Sequence, residues 1–106
     1  MALELPWPPK QITPNFKRRN HWSSYHMYIK AYKEECCVLA YTVKPRKEFK
    51  VTFHPPDKRK RDLDNMIGAF KAGQDGLEMA WGIDDSEFVI TYAVGEPVKG
   101  GKVVVS

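Results

Sequence analysis

The sequence lacks the features of a secreted, membrane-bound or zinc-binding protein. Its longest uninterrupted apolar run, residues 36–41, is far too short to cross a membrane. Residues 1–9 contain an acid and three prolines, where a signal peptide needs an apolar stretch. The two cysteines, Cys36 and Cys37, are adjacent, so they can form neither an unstrained disulfide with each other nor the C-x-x-C spacing of a zinc site. We therefore expect a cytosolic protein with two reduced, buried or half-buried thiols.

Several catalytic signatures are also missing from the sequence. It has no P-loop, no Gly-rich dinucleotide-binding motif and no Ser-His-Asp arrangement. The three histidines, His21, His26 and His54, do not have the spacing of metal ligands. We therefore expect no organic cofactor.

The charges that are present are distributed unevenly. The chain has 106 residues and a formal charge of +4, and 42% of its residues are hydrophobic, which is enough to fill one core. Residues 1–61 have a balance of +9, whereas residues 62–106 have a balance of −5. One half is therefore suited to a polyanion, and the other supplies carboxylates.

The hydrophobic pattern predicts a single α/β (α+β) domain over residues 1–106. A short strand at 3–5, an alternating strand at 48–54 and two further strands at 87–94 and 102–105 are separated by two amphipathic helices. We expect the helices from Asn20 to about residue 41 and from about Asn65 to Trp81, with an apolar stripe that begins at Leu63. Glycines at 68, 73 and 76 weaken the second helix but allow close packing against another element. The predicted order is β-α-β-α-β-β, with both helices packed on a mixed sheet.

Three acidic sites could carry chemistry: Asp62, Asp64 and the pair Asp84-Asp85. If residues 62–64 are extended, the first two carboxylates point the same way. To bring Asp85 near them, the chain must fold back around residues 77–84. Clustered carboxylates repel one another unless a cation binds, and oxygen ligands favour Mg²⁺, with Mn²⁺ as the other possible ion. The alternative is structural, with Asp64 as a helix N-cap and the aspartate pair as turn residues.

Two basic clusters are candidates for DNA contacts. They are Lys17, Arg18 and Arg19, and then Lys58, Arg59, Lys60 and Arg61. Phosphate contacts by these side chains would make binding fall steeply with salt. A solvated basic loop is the alternative for each run. Phe16 could act as a wedge between bases, whereas we interpret Trp7, Trp22 and Trp81 as core anchors.

The stretch from Pro55 to Asn65, which ends in R-D-L-D-N, and the later G-I-D-D at 82–85 resemble the RusA family of Holliday-junction resolvases. The opening L-P-W-P-P at 5–9 and the closing K-G-G at 99–101 are similar to the two ends of the same family. The resemblance implies a Mg²⁺-dependent endonuclease that cuts four-way DNA junctions as a symmetric homodimer. It also makes a phage or prophage origin plausible.

The resemblance also implies specific site residues. The essential acids of the family match Asp62, Asp64 and Asp85, which would bind the metal and act in catalysis. The family has an essential lysine in its D-N-x-x-K stretch, where this chain has Gly68. Lys71 lies about one helical turn further along the same side and could replace it. Lys60 is a second possible substitute.

Two other hypotheses compete with a resolvase. One is a non-catalytic relative that binds branched DNA, which the substitution at Gly68 favours. The other is a small interaction protein whose basic face binds an acidic protein partner.

Overall fold

The order of strands and helices along the chain is the predicted one. The computed structural model describes residues 2–12 and 22–106. Within these ranges the strands are β1 (Leu3–Pro6), β2 (Glu48–His54), β3 (Val89–Val94) and β4 (Lys102–Val105), and the helices are α1 (Trp22–Ala40) and α2 (Leu63–Trp81). Short 3-10 turns cover Lys10–Ile12 and Asp85–Glu87. The predicted helix start at Asn20 lies outside the described residues.

The four described strands form one mixed sheet in the order β1-β4-β2-β3. Strand β4 lies between β1 and β2 and is antiparallel to both. Strands β2 and β3 are parallel, and α2 makes the crossover that a parallel pair requires. This crossover brings the residues that follow α2 back towards the start of β3, beside β2.

One face of the sheet supplies the core. In β2, Phe49, Val51 and Phe53 are buried while Glu48 and Lys50 are exposed, as the alternating sequence predicts. The helices cover this buried face, so the architecture is helices packed on a mixed sheet. The stripe on α2 is confirmed for the buried residues Met66, Phe70, Leu77 and Trp81, whereas Leu63 is partly exposed.

Two glycines of α2 lie where α1 crosses it. A Cβ atom at position 76 would stand 2.5 Å from the backbone oxygen of Lys33, and one at position 73 would stand 3.1 Å from the Tyr32 ring. At Gly76 the backbones of the two helices therefore approach too closely for a side chain, whereas at Gly73 the space is filled by the rings of Phe70 and Tyr32. This confirms the interpretation of Gly73 and Gly76 as packing residues, whereas Gly68 is exposed.

Two expectations about the ends of elements need correction. Helix α2 begins at Leu63, with Asp62 as its N-cap residue, so the alternative that Asp64 caps the helix is wrong. Strand β3 begins at Val89 and not at Glu87, because the N–H groups of Glu87 and Phe88 donate to carbonyl groups of the preceding turn.

Both cysteines are free and buried, as expected. Neither described helix is long and apolar enough to cross a membrane.

Candidate functional site

The start of α2 separates the first two candidate carboxylates. Asp62 has extended backbone angles and its side chain makes no capping hydrogen bond, whereas Asp64 lies in the first helical turn. Residues 62–64 are therefore not an extended tripeptide, and the condition for parallel carboxylates is not met. Both side chains are exposed, and an acid in the first turn is favourable to the helix dipole.

The end of α2 reverses the chain as the candidate site requires. Gly82 adopts a left-handed conformation (φ 65°), and its N–H donates to the Glu78 carbonyl. The Asp84 side chain then accepts a hydrogen bond from the Ser86 N–H, which fixes the next turn and lowers the pKa of Asp84. As a result, Asp85 lies beside α2, with its Oδ2 atom 3.6 Å from Nζ of Lys71.

Asp85 joins two acids of α2 that the sequence analysis did not single out. Asp75, Glu78 and Asp85 each place a carboxylate oxygen within 4.8 Å of the others. An all-oxygen donor set of this kind fits a hard divalent cation such as Mg²⁺, although exposed acids also group together without one. Among the described residues, Asp62 and Asp64 are not part of such a group with Asp85.

The electrostatics of this group depend on Lys71. Its Nζ atom donates to Oδ1 of Asp75 at 3.0 Å, and this hydrogen bond raises the pKa of Lys71. Removal from water raises the pKa of Glu78, and repulsion from Asp85 adds to the shift. Lys71 therefore stays protonated at neutral pH and offsets part of the negative charge around it.

One face of α2 connects the acids at its two ends. An α-helix turns 100° per residue, so Asp64, Gly68, Lys71, Asp75 and Glu78 fall on the same side. Seven residues separate Asp64 from Lys71, which corresponds to about 10 Å along the axis. The fold thus places Asp64 and Asp85 along one face of α2, with Lys71 between them along the helix axis. The exposed Gly68 lies on the same face, one turn after Asp64.

The basic run before α2 is partly organised by an acid of its own. Arg61 donates to both carboxylate oxygens of Asp57, at 2.8 and 3.2 Å, and Arg59 lies 3.8 Å from the same carboxylate. The hydrogen bond from Arg61 lowers the pKa of Asp57 to about 2. Within the described ranges, Lys58 and Lys60 form no ion pair, so they remain available to an anionic ligand.

A cavity opens between this basic run and the loop after β1. Its apolar lining includes Trp7, Phe53 and Met66, and its polar lining includes Lys60, Arg61 and Asp62. The indole of Trp7 meets Phe53 edge-on, with ring centroids 6.3 Å apart. Trp81 is buried and is a core anchor, as predicted, whereas Trp7 is only half-buried and borders the cavity.

Some predicted residues lie outside the described part of the chain. They are the first basic cluster, Lys17, Arg18 and Arg19, together with Phe16 and the side chain of Trp22. Asp75 and Glu78 were not predicted as site residues from the sequence. Their spacing of four and seven residues from Lys71 places them on its helix face, and this was the available signal.

Comparison with known proteins identifies a relative without indicating a biochemical activity. No protein-family model matches the chain. An uncharacterized protein of Xylella fastidiosa (strain Temecula1 / ATCC 700964) is 33% identical over 115 aligned residues, which cover 99% of this chain and 74% of that protein. The chain therefore belongs to the same protein family as this Xylella fastidiosa protein.

Proposed function

We propose that the chain is a Mg²⁺-dependent, structure-selective DNA endonuclease that resolves four-way junctions by paired cuts in recombination and repair. The observation that carries the proposal is the return of Asp85 to α2 beside Lys71, on the helix face that also presents Asp64. The basic run at 58–61 leads directly into the same helix. Exposed carboxylates of α2 therefore lie next to a basic run that could bind phosphate, and the R-D-L-D-N resemblance adds support.

The proposed metal ligands are Asp62, Asp64 and Asp85. Asp62 and Asp64 lie at the start of α2, whereas Asp85 lies further along the helix beside Lys71 and is grouped with Asp75 and Glu78. The proposal therefore requires Asp85 to move towards the start of α2 when the metal binds. When bound, Mg²⁺ would polarise the phosphoryl group and lower the pKa of an attacking water. Lys71 would take the position of the missing family lysine and hold a positive charge close to the cleaved phosphate. Its hydrogen bond to Asp75 keeps that charge in place.

DNA affinity would come mainly from contacts to phosphates. Lys58 and Lys60 are exposed cations of the run at 58–61 that form no ion pair with a described acid, and Arg61 is oriented by Asp57. Lys17, Arg18 and Arg19 lie outside the described residues and are proposed as further phosphate contacts from the sequence alone. Because each phosphate contact releases counterions, junction affinity should fall steeply as salt rises. Base-independent contacts of this kind position the DNA without reading its sequence.

A homodimer would supply the second cut. One domain of 12.2 kDa offers one set of carboxylates on α2. A four-way junction needs two cuts at related positions, and a two-fold dimer provides two equivalent sites on a substrate of matching symmetry. We therefore include a symmetric homodimer in the proposal.

The decisive experiment measures cutting and binding separately. A labelled four-way junction and a linear duplex of the same sequence are incubated with the parent chain in Mg²⁺ and in EDTA. We expect paired, Mg²⁺-dependent cuts on the junction alone. Asp64→Asn and Asp85→Asn should lose cutting by at least 100-fold, the scale of removing one electrostatic group from a catalytic site, while junction binding stays equal or rises.

Two further variants decide which carboxylates matter. Asp62→Asn should abolish cutting, whereas Glu78→Gln should leave most of it, because Glu78 is not in the proposed ligand set. The reverse result would move the metal to Asp75, Glu78 and Asp85. Glu87→Gln is the matched control, since Glu87 is an exposed acid of the same turn as Asp85 that pairs with Lys47 at 3.0 Å and forms no ion pair with Lys71.

A second candidate function rests on Gly68. A relative that binds branched DNA without cutting it would explain why the family lysine is absent. It predicts junction binding with no cuts in any divalent metal. In that case Lys71 does not replace the family lysine, and Gly68→Lys should create Mg²⁺-dependent cutting. Failure of Gly68→Lys to cut would show that the missing lysine is not what prevents cutting.

A further inference from the structure

The cavity beside Trp7 has the size of a small-ligand site. Its volume is about 720 Å³, within the range of roughly 300–1,000 Å³ that accommodates small molecules and cofactors. It lies between the loop after β1 and the start of α2, and Asp62 forms part of its wall. A ligand in this cavity would therefore lie next to one of the carboxylates of the proposed cutting site.

The aromatic wall of the cavity is held in one orientation. The Trp7 indole packs edge-on against the fully buried Phe53, at an interplanar angle of 85°. On another side it meets the backbone of Gly101, where a Cβ atom would stand 2.9 Å from the Trp7 Cγ atom. Because these neighbours fix the indole, it offers a half-buried aromatic surface that needs no rearrangement before binding.

The polar wall adds groups that suit a nucleotide. Lys10, Lys60 and Arg61 contribute three cations, and Asn65 contributes an amide that can both donate and accept hydrogen bonds. Arg61 is held in position by its two hydrogen bonds to Asp57. An aromatic surface beside a row of cations is the combination that binds unstacked bases together with their phosphates.

We infer that this cavity takes one unstacked nucleotide of a DNA strand, with its base against Trp7 and its phosphate towards Lys60 and Arg61. The inference rests on the proposed function in that the ligand is DNA. It goes further because it adds a site for a base to an interface otherwise made by phosphate contacts. At a branch point, bases lose stacking partners, so a nucleotide there enters such a cavity at a lower cost than one inside a duplex.

The first test measures binding without cutting. A four-way junction carries 2-aminopurine, a fluorescent adenine analogue, at successive positions around the branch point, and is titrated with the full chain in EDTA. We expect a fluorescence change at one position, together with quenching of the protein's tryptophan emission. Trp7→Leu should remove the 2-aminopurine response and weaken junction binding about tenfold, as expected for the loss of one base–aromatic stack. Trp7→Phe should retain most of both.

Two neighbouring glycines provide a matched pair of variants. Gly100 and Gly101 both have positive φ angles, 81° and 71°, so an alanine at either position is strained in the same way. Only at 101 would the new Cβ meet Trp7, because nothing lies within 4 Å at 100. Gly101→Ala should therefore weaken binding in the manner of Trp7→Leu, while Gly100→Ala binds as the parent does. Thermal melts monitored by circular dichroism confirm that each variant is folded.

The outcomes separate this inference from the proposed function. A folded Trp7→Leu variant with parental affinity and an unchanged 2-aminopurine response overturns the inference, even if the parent cuts junctions. A parent that binds but does not cut, with a Trp7-dependent response, supports the inference and contradicts the nuclease proposal. A parent that does not bind the junction at all overturns both. Tyr41→Leu, which removes a largely exposed aromatic of the α1 end, controls for general loss of aromatic surface.

Discussion

The close approach of α1 and α2 at Gly76 leads to a quantitative prediction about stability. In Gly76→Ala, the added Cβ would lie 2.5 Å from the Lys33 carbonyl oxygen, 3.0 Å from the Cys37 nitrogen and 3.1 Å from the Cys36 Cβ. Two of these three neighbours are backbone atoms within α1, so they cannot rotate away. The helices must instead move apart by several tenths of an ångström.

Two effects of opposite sign decide the size of the change. Replacing a helical glycine by alanine favours the helix by about 1 kcal/mol, because alanine loses less conformational entropy. Forcing an extra carbon into a close-packed contact costs about 1–3 kcal/mol. The separation would also loosen the core around Cys36 and Leu77, which are fully buried. We therefore expect Gly76→Ala to lower the free energy of unfolding by about 1–2 kcal/mol, because the clash is with backbone and places the packing cost at the upper end of that range.

Urea denaturation followed by circular dichroism measures this change directly. Met79→Ala is the control on the same helix, because Met79 is 57% exposed and its loss should alter the free energy by less than about 0.5 kcal/mol. A Gly76→Ala chain that is more stable than the parent by about 1 kcal/mol would show helix propensity acting alone. That result would refute the close helix–helix contact at this position.

Two further predictions concern single hydrogen bonds. Tyr32→Phe removes the hydrogen bond that the Tyr32 hydroxyl donates to the Pro6 carbonyl at 2.7 Å. It should lower the free energy of unfolding by about 1–2 kcal/mol in the same urea assay. An unchanged free energy of unfolding would contradict a role for this bond in holding α1 against β1. Arg61→Gln should raise the pKa of Asp57 from about 2 towards its ordinary value of 3.8, as read from an NMR titration of the carboxyl. Folding lowers the pKa of Asp57, so the Asp57–Arg61 pair stabilises the parent fully at pH values above the ordinary pKa of 3.8. This stabilisation is lost as the pH falls through about 2.

The parts of the fold that depend on local periodicity were predictable from the sequence. The alternation in 48–54 gave β2 with its bounds, and the apolar spacing from Met66 to Trp81 gave the buried side of α2. In both cases the side chain that enters the core is set by the period of the element itself. The boundary at Val89 was missed, because hydrogen bonds of the preceding turn outweigh the strand tendency of the residues before it.

The composition of the site was less predictable, because it depends on contacts between distant parts of the chain. Asp85 was identified from its motif, but its approach to Lys71 and Glu78 requires the reversal at Gly82, whose direction no local pattern specifies. Trp7 was interpreted as a core residue for a similar reason. Its contact with Gly101 arises from the pairing of β1 with β4, and only that pairing shows the indole at the edge of a cavity.

The position of β4 inside the sheet has a consequence for how the chain folds. Val103 and Val105 are buried and pair with residues of both β1 and β2, so the sheet cannot close until this strand has been synthesised. Leu3 pairs with Val105, and such a long sequence separation slows folding because a large loop must close before the contact forms. On the ribosome, β1 and β2 would therefore wait with unpaired edges. We expect the nascent chain to fold only once β4 has emerged from the ribosome, in a single late step, and a version truncated before β4 to remain unfolded.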